Sequence, residues 1–212
     1  MNTIKIFNEN VEAYEAWYEK FHEVYLSEAA AIKEQLLKLP ENIRGVEVGL
    51  GTGRFSEILG IKEGVEPAAK MATIAIQRGI EVISGIAENL PIKDLNSDFV
   101  LFVTICHLNN VKRAFKEAFR ILKPKGSLIV GFIDKNQKIG KFYEENRMRS
   151  TFFRYANFYS VAYITKLLIE IGFKDIEYNQ TLFGNLDEIK EVQLPKEGYG
   201  EGSFVVIKAV KR

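Results

Sequence analysis

The spacing of apolar residues changes character near residue 40. Before it, Val11, Tyr14, Tyr18, Phe21 and Tyr25 stand alternately three and four apart, which predicts one helix face over residues 11 to 25. That face is aromatic, and Trp17 borders it. A second helix is predicted over about 28 to 39, with Ile32, Leu36 and Leu39 inward and Pro40 after it. Beyond Pro40, short apolar runs alternate with helical patterns. Ile43 to Val48 reads as a strand, a glycine loop follows, and Phe55 to Leu59 opens a helix. Gly64 and Val65 lie on a second strand. The next helix runs from Pro67, suited to a first helical position, to Gly79, suited to a stop. Residues 80 to 84 are a third strand. Phe99 to Val103 is unbroken and apolar, as in a strand buried on both faces.

Val111 to Leu122 reads as a helix, Lys123 to Gly126 as a turn, and Ser127 to Ile133 as a strand. Residues 134 to 160 are irregular and mix Lys138, Lys141, Arg147, Arg149 and Arg154 with many aromatic residues. A helix follows from Val161 to Ile171, with Ser160 as N-cap and Gly172 at its end. Two late strands fall at about 176 to 182 and 203 to 210. The alternation predicts an α/β chain: a doubly wound, parallel sheet with helices on both faces and a helical extension in front. Ligands of such sheets sit beyond the carboxyl ends of the strands, where the strand order reverses. The glycine loop stands at that end of the first strand.

Length and charge narrow the picture. The chain has 212 residues, which suits one domain, 1 to 212. Its formal net charge is +1, so no global field draws it to nucleic acid or to an anionic membrane. No apolar run reaches the length of a membrane span, and the first residues are too polar for a signal-peptide core. One cysteine, Cys106, and two histidines, His22 and His107, leave no disulfide framework and no metal motif. The expectation is a cytoplasmic monomer or homodimer with no nucleic-acid partner and no metal.

The chemistry is concentrated in VEVGLGTGRF, residues 46 to 55. The dinucleotide pattern G-x-G-x-x-G fails, because the sixth residue from Gly49 is Arg54; the phosphate loop G-x-x-x-x-G-K-[ST] fails as well. What stands here is E-x-G-x-G-x-G, with Gly49, Gly51 and Gly53 free to take positive φ and let a ligand approach. Glu47 at the rim would repel a pyrophosphate and attract a cation or a ligand ammonium. Glu66, at the end of the second strand, is placed to accept hydrogen bonds from both hydroxyls of a ribose; its plainer role is a helix cap before Pro67. The ligand indicated is an adenosine-like nucleoside with a cationic tail and no phosphate. S-adenosylmethionine fits.

At this point the chain resembles the class I S-adenosylmethionine-dependent methyltransferases of the small-molecule type. VEVGLGTGRF is similar to their first motif, GVEP to the acid of the second strand, GIAENLPIKDLNSDFV to the third segment, and HLNNVKRAFKEAFRILKPKGSLIVGFID to the fourth- and fifth-strand region. AYITKLLIEIGFKDIEY resembles the late helix and sixth strand. The resemblance implies a Rossmann-like, seven-stranded, mostly parallel sheet with an antiparallel last strand. It implies S-adenosyl-L-methionine as cofactor, bound at Glu47, Gly49, Leu50, Gly51, Gly53, Glu66, Pro67, Met71, Ala87, Glu88 and Thr104. One departure is Ile86, where the family often has an aspartate for the adenine amino group; Ala87 and Glu88 or apolar contacts would have to serve instead.

For the acceptor, residues 1 to 40 are either helices packed on the domain or a lid, with Tyr14, Trp17 and Tyr18 bounding the cavity. Residues 134 to 160 are an acceptor-side insertion that contributes Tyr155 and Tyr159 and could offer an anionic or planar acceptor a basic, aromatic surface; the plainer role of the stretch is a solvated face over a satellite core. His107 follows the fourth strand and is a candidate base; its plainer role is a hydrogen-bonded structural histidine. No Asn/Asp-Pro-Pro-aromatic motif follows that strand, which reads Thr104-Ile105-Cys106-His107, and Cys106 packs as a small apolar residue. The acceptor expected is a small molecule. A non-catalytic module that binds the same nucleoside is the alternative, and a dehydrogenase is disfavoured by the glycine spacing and Glu47.

Overall fold

A computed structural model describes residues 3–212. Eight strands form one sheet in the order β3-β2-β1-β4-β5-β8-β6-β7. They are β1 (Gly45–Val48), β2 (Glu63–Val65), β3 (Glu81–Ile83), β4 (Ser97–Val103), β5 (Leu122–Ile133), β6 (Phe173–Thr181), β7 (Lys196–Glu197) and β8 (Phe204–Lys211). The first five pair in parallel; β8 runs antiparallel to both β5 and β6, between which it is inserted. The count is eight rather than the expected seven because β7, two residues long, pairs Asn179 and Gln180 at the edge. Too short to carry a pattern, it left no mark in the sequence.

The described residues form eight α-helices, α1 (Thr3–Glu9), α2 (Val11–Lys20), α3 (His22–Leu36), α4 (Arg54–Leu59), α5 (Ala69–Gln77), α6 (Val111–Ile121), α7 (Lys138–Asn146) and α8 (Val161–Ile171). Alternation along the central strands sorts the core into two layers, because successive side chains point to opposite faces. Val100, Phe102, Leu128, Val130, Val205 and Ile207 pack with α6 and α8; Phe99, Leu101, Ile129, Phe204 and Val206 pack with α3. Helices therefore cover both faces, as the alternating pattern predicts.

Several local expectations are corrected. The single helix over 11 to 25 breaks at Phe21 (φ −115°, ψ 49°), and the helix expected from 28 already begins at His22. Tyr25 thus belongs to α3, where its ring meets Phe55 edge-on and its hydroxyl donates to the Arg54 carbonyl at 2.7 Å. Since α3 packs on β5, β6 and β8, it is a layer of the core. Thr3, Ile4 and Phe7 of α1 and Tyr14, Trp17 and Tyr18 of α2 line a cavity, and α3 adds Val24 and Glu28 to it. Pro67 is not the first helical residue, because α5 starts at Ala69. Within 134 to 160 a regular helix, α7, appears where irregular chain was expected. Its Gly140 lies against Asp134, and a Cβ there would come within 2.2 Å of the Asp134 carbonyl oxygen.

Candidate active site

The strand order reverses between β1, which turns outward to β2, and β4 on its other side. The loop after β1 opens there. Gly51 has φ +58°, and a Cβ on it would lie 2.9 Å from the Tyr14 hydroxyl, so the loop is bare because an aromatic ring closes on it. Gly53 has φ +80° and precedes α4; a Cβ there would strike Ile80 at 2.4 Å. Gly53 therefore serves the packing of the loop and does not line the cavity, whereas Gly49, Leu50 and Gly51 do.

Two carboxyls sit beside the loop. Glu47 is buried, its Oε2 accepts the Ser56 hydroxyl, and burial pushes its pKa up to about 8. Glu66 accepts the Gly51 amide at Oε2 and the Ala68 amide at Oε1, both at 2.8 Å. Burial raises its pKa, and the two amides partly offset that. Glu66 thus braces the glycine loop against the start of α5. Its carboxylate also lines the cavity, as do Pro67, Met71, Ala87, Glu88 and Thr104. Glu88 is tied to the Asn110 amide at 3.0 Å. Thr104 holds φ +59°, a left-handed conformation costing a non-glycine residue about 1–3 kcal/mol, where β4 meets the cavity.

The acceptor side is aromatic. Tyr14, Trp17 and Tyr18 line the cavity, and the Tyr14 and Tyr18 hydroxyls are 3.0 Å apart. Tyr159 lines it too; Tyr155 does not, being half exposed. The aromatic residues that do face in from 134 to 160 are Tyr143, Phe152, Phe153 and Phe158. The lysines and arginines of that stretch do not reach the cavity, so the surface expected for an anionic acceptor is absent from its wall. His107 stands between rings, stacked on Phe153 at 5.7 Å and edge-on to Phe7 at 5.0 Å. Its side chain makes no hydrogen bond to the described residues, and burial pulls its pKa down to about 4. The imidazole is neutral and lines the cavity. His22 lies at the start of α3 and does not line it. Cys106 is buried, and burial pushes its thiol up to about 12, which keeps it protonated.

Two groups escaped the sequence reading. Glu15 on α2 takes Thr52, Arg54 and Arg78 together, with Nη2 of each arginine within 2.8 Å, which holds its pKa down at about 2. It ties α2 to the glycine loop. Glu28 on α3 lines the cavity and is 7% exposed. Glu28, Ala31, Ile32 and Gln35 fall on one helical stripe, so a charge on an apolar face was the available signal. Among the described residues no group of histidine, cysteine and carboxylate side chains is arranged to hold a metal, and no helix is long and apolar enough to cross a membrane.

A family model described as a methyltransferase domain matches residues 46–130. The structure of a SAM-dependent methyltransferase of Thermotoga maritima, described as a possible histamine N-methyltransferase, is 46% identical with a TM-score of 0.94, covering 99% of this chain and 100% of that one. An uncharacterized protein of Methanocaldococcus jannaschii is 42% identical, over 98% of this chain and 100% of its own. One of Mycobacterium tuberculosis is 29% identical over 93% of this chain and 71% of its own. The chain belongs to the class I S-adenosylmethionine-dependent methyltransferases, and its cofactor is S-adenosyl-L-methionine. The cradle suits that group: a close-approach glycine loop with two buried carboxyls, Glu47 and Glu66, lining the cavity beside it.

Proposed function

We propose that the protein transfers the methyl group of S-adenosylmethionine to a small-molecule acceptor. The observation that carries the reading is the continuity of the loop, Glu47 and Glu66 with a cavity walled by the rings of α1, α2 and residues 143 to 159. When bound, the cofactor supplies an electrophilic methyl: the acceptor's electron pair forms the new bond, the carbon–sulfur bond breaks, and its pair stays on sulfur. Glu47 would hold the ammonium as a carboxylate, and Glu66 would exchange its amide partners for ribose hydroxyls. Tyr14, Trp17 and Tyr18 would close the transfer path to water, since alignment and exclusion of water are the main demands of this reaction. His107, neutral at pH 7, is placed to accept a hydrogen bond from the acceptor.

The test is transfer of isotope from methyl-labelled S-adenosylmethionine to a small-molecule fraction, alongside thermal shift with S-adenosylhomocysteine and NAD. Stabilisation by S-adenosylhomocysteine alone and label in a small product are expected. Equal stabilisation by NAD would sink the cofactor assignment. Cofactor binding without label transfer would leave a nucleoside-binding module.

A further inference from the structure

Glu28 has no role in the cofactor cradle. It lines the cavity from α3, nine-tenths buried, and no donor among the described residues forms a hydrogen bond or ion pair with it. A buried carboxyl without a partner is costly to ionise and rests as the neutral acid, so a ligand cation beside it would supply the counter-charge it lacks. Glu28 lines the same cavity as Tyr18 and Tyr143, two rings of the acceptor wall. The rest of the lining points the same way: Glu28, Glu47, Glu66 and Glu88 line the cavity and, among the described residues, no lysine or arginine does. An anionic acceptor would meet no cation among these lining residues, whereas a cationic one would find carboxyls able to ionise against it.

We propose that the acceptor is a small protonated amine, and that Glu28 holds its ammonium group within walls formed by Trp17, Tyr18, Tyr143 and Phe153. The inference rests on the methyltransferase reading and adds the class of substrate. Aromatic faces attract a cation through their negative π-surfaces, and the attraction grows when water is excluded. An ammonium has no free electron pair. The group held by Glu28 is therefore the handle, and the methyl goes to another atom of the same molecule that keeps a lone pair.

The experiment uses the full chain in two stages. Thermal shift with S-adenosylhomocysteine comes first; without stabilisation, the methyltransferase reading falls and takes this inference with it. The loaded protein is then titrated calorimetrically with histamine, tyramine, phenethylamine and the neutral phenethyl alcohol. At least one amine should bind about tenfold or more tighter than the alcohol. Glu28→Gln should erase that preference while S-adenosylhomocysteine affinity stays unchanged, and Glu28→Asp, which keeps the charge, should retain part of it. The proposal is overturned, with the methyltransferase reading intact, if no amine binds, if the alcohol binds equally well, or if Glu28→Gln binds amines like the parent.

Discussion

At the scale of single residues, the two carboxyls of the cofactor cradle have separable signatures. Glu66→Ala should weaken S-adenosylhomocysteine by on the order of 2–4 kcal/mol, roughly thirty- to a thousandfold, through the loss of two charge-assisted bonds. Glu66→Gln should lose less. Because Glu66 also braces Gly51 and Ala68, the melting temperature of the free variant has to be read beside its affinity. Full affinity in Glu66→Ala with the fold intact would reduce the residue to a brace. Glu47 makes a different prediction. In the free protein its pKa is about 8, so at neutral pH it is largely protonated, whereas a cofactor ammonium draws out the carboxylate. Binding then releases a proton, and affinity should rise as pH is raised from 6 towards about 7.5, by at most about tenfold per unit. The rise should vanish in Glu47→Gln; a pH-independent affinity in the parent would separate Glu47 from the ammonium.

At the scale of elements, the join between α2 and α3 decides what is removable. Val24, Tyr25 and Ile32 of α3 are core residues, so a truncation should end at Phe21. A chain beginning there is expected to fold, to bind S-adenosylhomocysteine more weakly and to transfer no methyl; unchanged affinity would make α1 and α2 mere packing. A milder cut is Glu15→Ala, which strips Arg54 and Arg78 of a shared partner and should cost roughly 1–3 kcal/mol. Faster proteolysis within α2 should accompany it, slowed again by S-adenosylhomocysteine. What the sequence disclosed at this scale follows from physical signal strength. Strands such as Phe99 to Val103 are continuous apolar runs and were legible. The break at Phe21 involves no glycine or proline, and α7 carries a glycine that favours neither helix nor strand, so tertiary packing settled both. The cradle was legible because glycines and carboxyls at fixed spacing are rare. The acceptor wall was not: so many rings crowd residues 142 to 159 that composition alone chose Tyr155, and only the fold selects Tyr143, Phe153 and Phe158 in its place.

For the whole molecule, the same buried carboxyls make stability a probe of the site. Glu47 and Glu28 each have a folded pKa near 8 against an ordinary 4.5, and Glu66 is raised as well. A raised carboxyl contributes stability that is fully present below its unfolded pKa and lost as pH climbs through its folded one. His107 acts the other way: depressed from 6.5 to about 4, it adds stability as pH rises between those values and nothing beyond. Glu15, held at about 2, matters only below 4.5. Between pH 6.5 and 8 the raised carboxyls are therefore unopposed by these groups. The free protein should lose stability across that window, by up to about 1.4 kcal/mol per pH unit for each carboxyl still titrating. Glu28→Gln and Glu47→Gln should each flatten the slope, and S-adenosylhomocysteine should flatten Glu47's share alone, because in the proposed binding mode its ammonium would face that group. Denaturant unfolding at half-unit pH steps measures all three. A stability that is level or rising from pH 6.5 to 8 in the free parent would mean that water or a rearranged neighbour already solvates both carboxylates. The cavity would then lack the desolvated carboxyls, ready to ionise against a bound cation, on which its choice of a cationic acceptor depends.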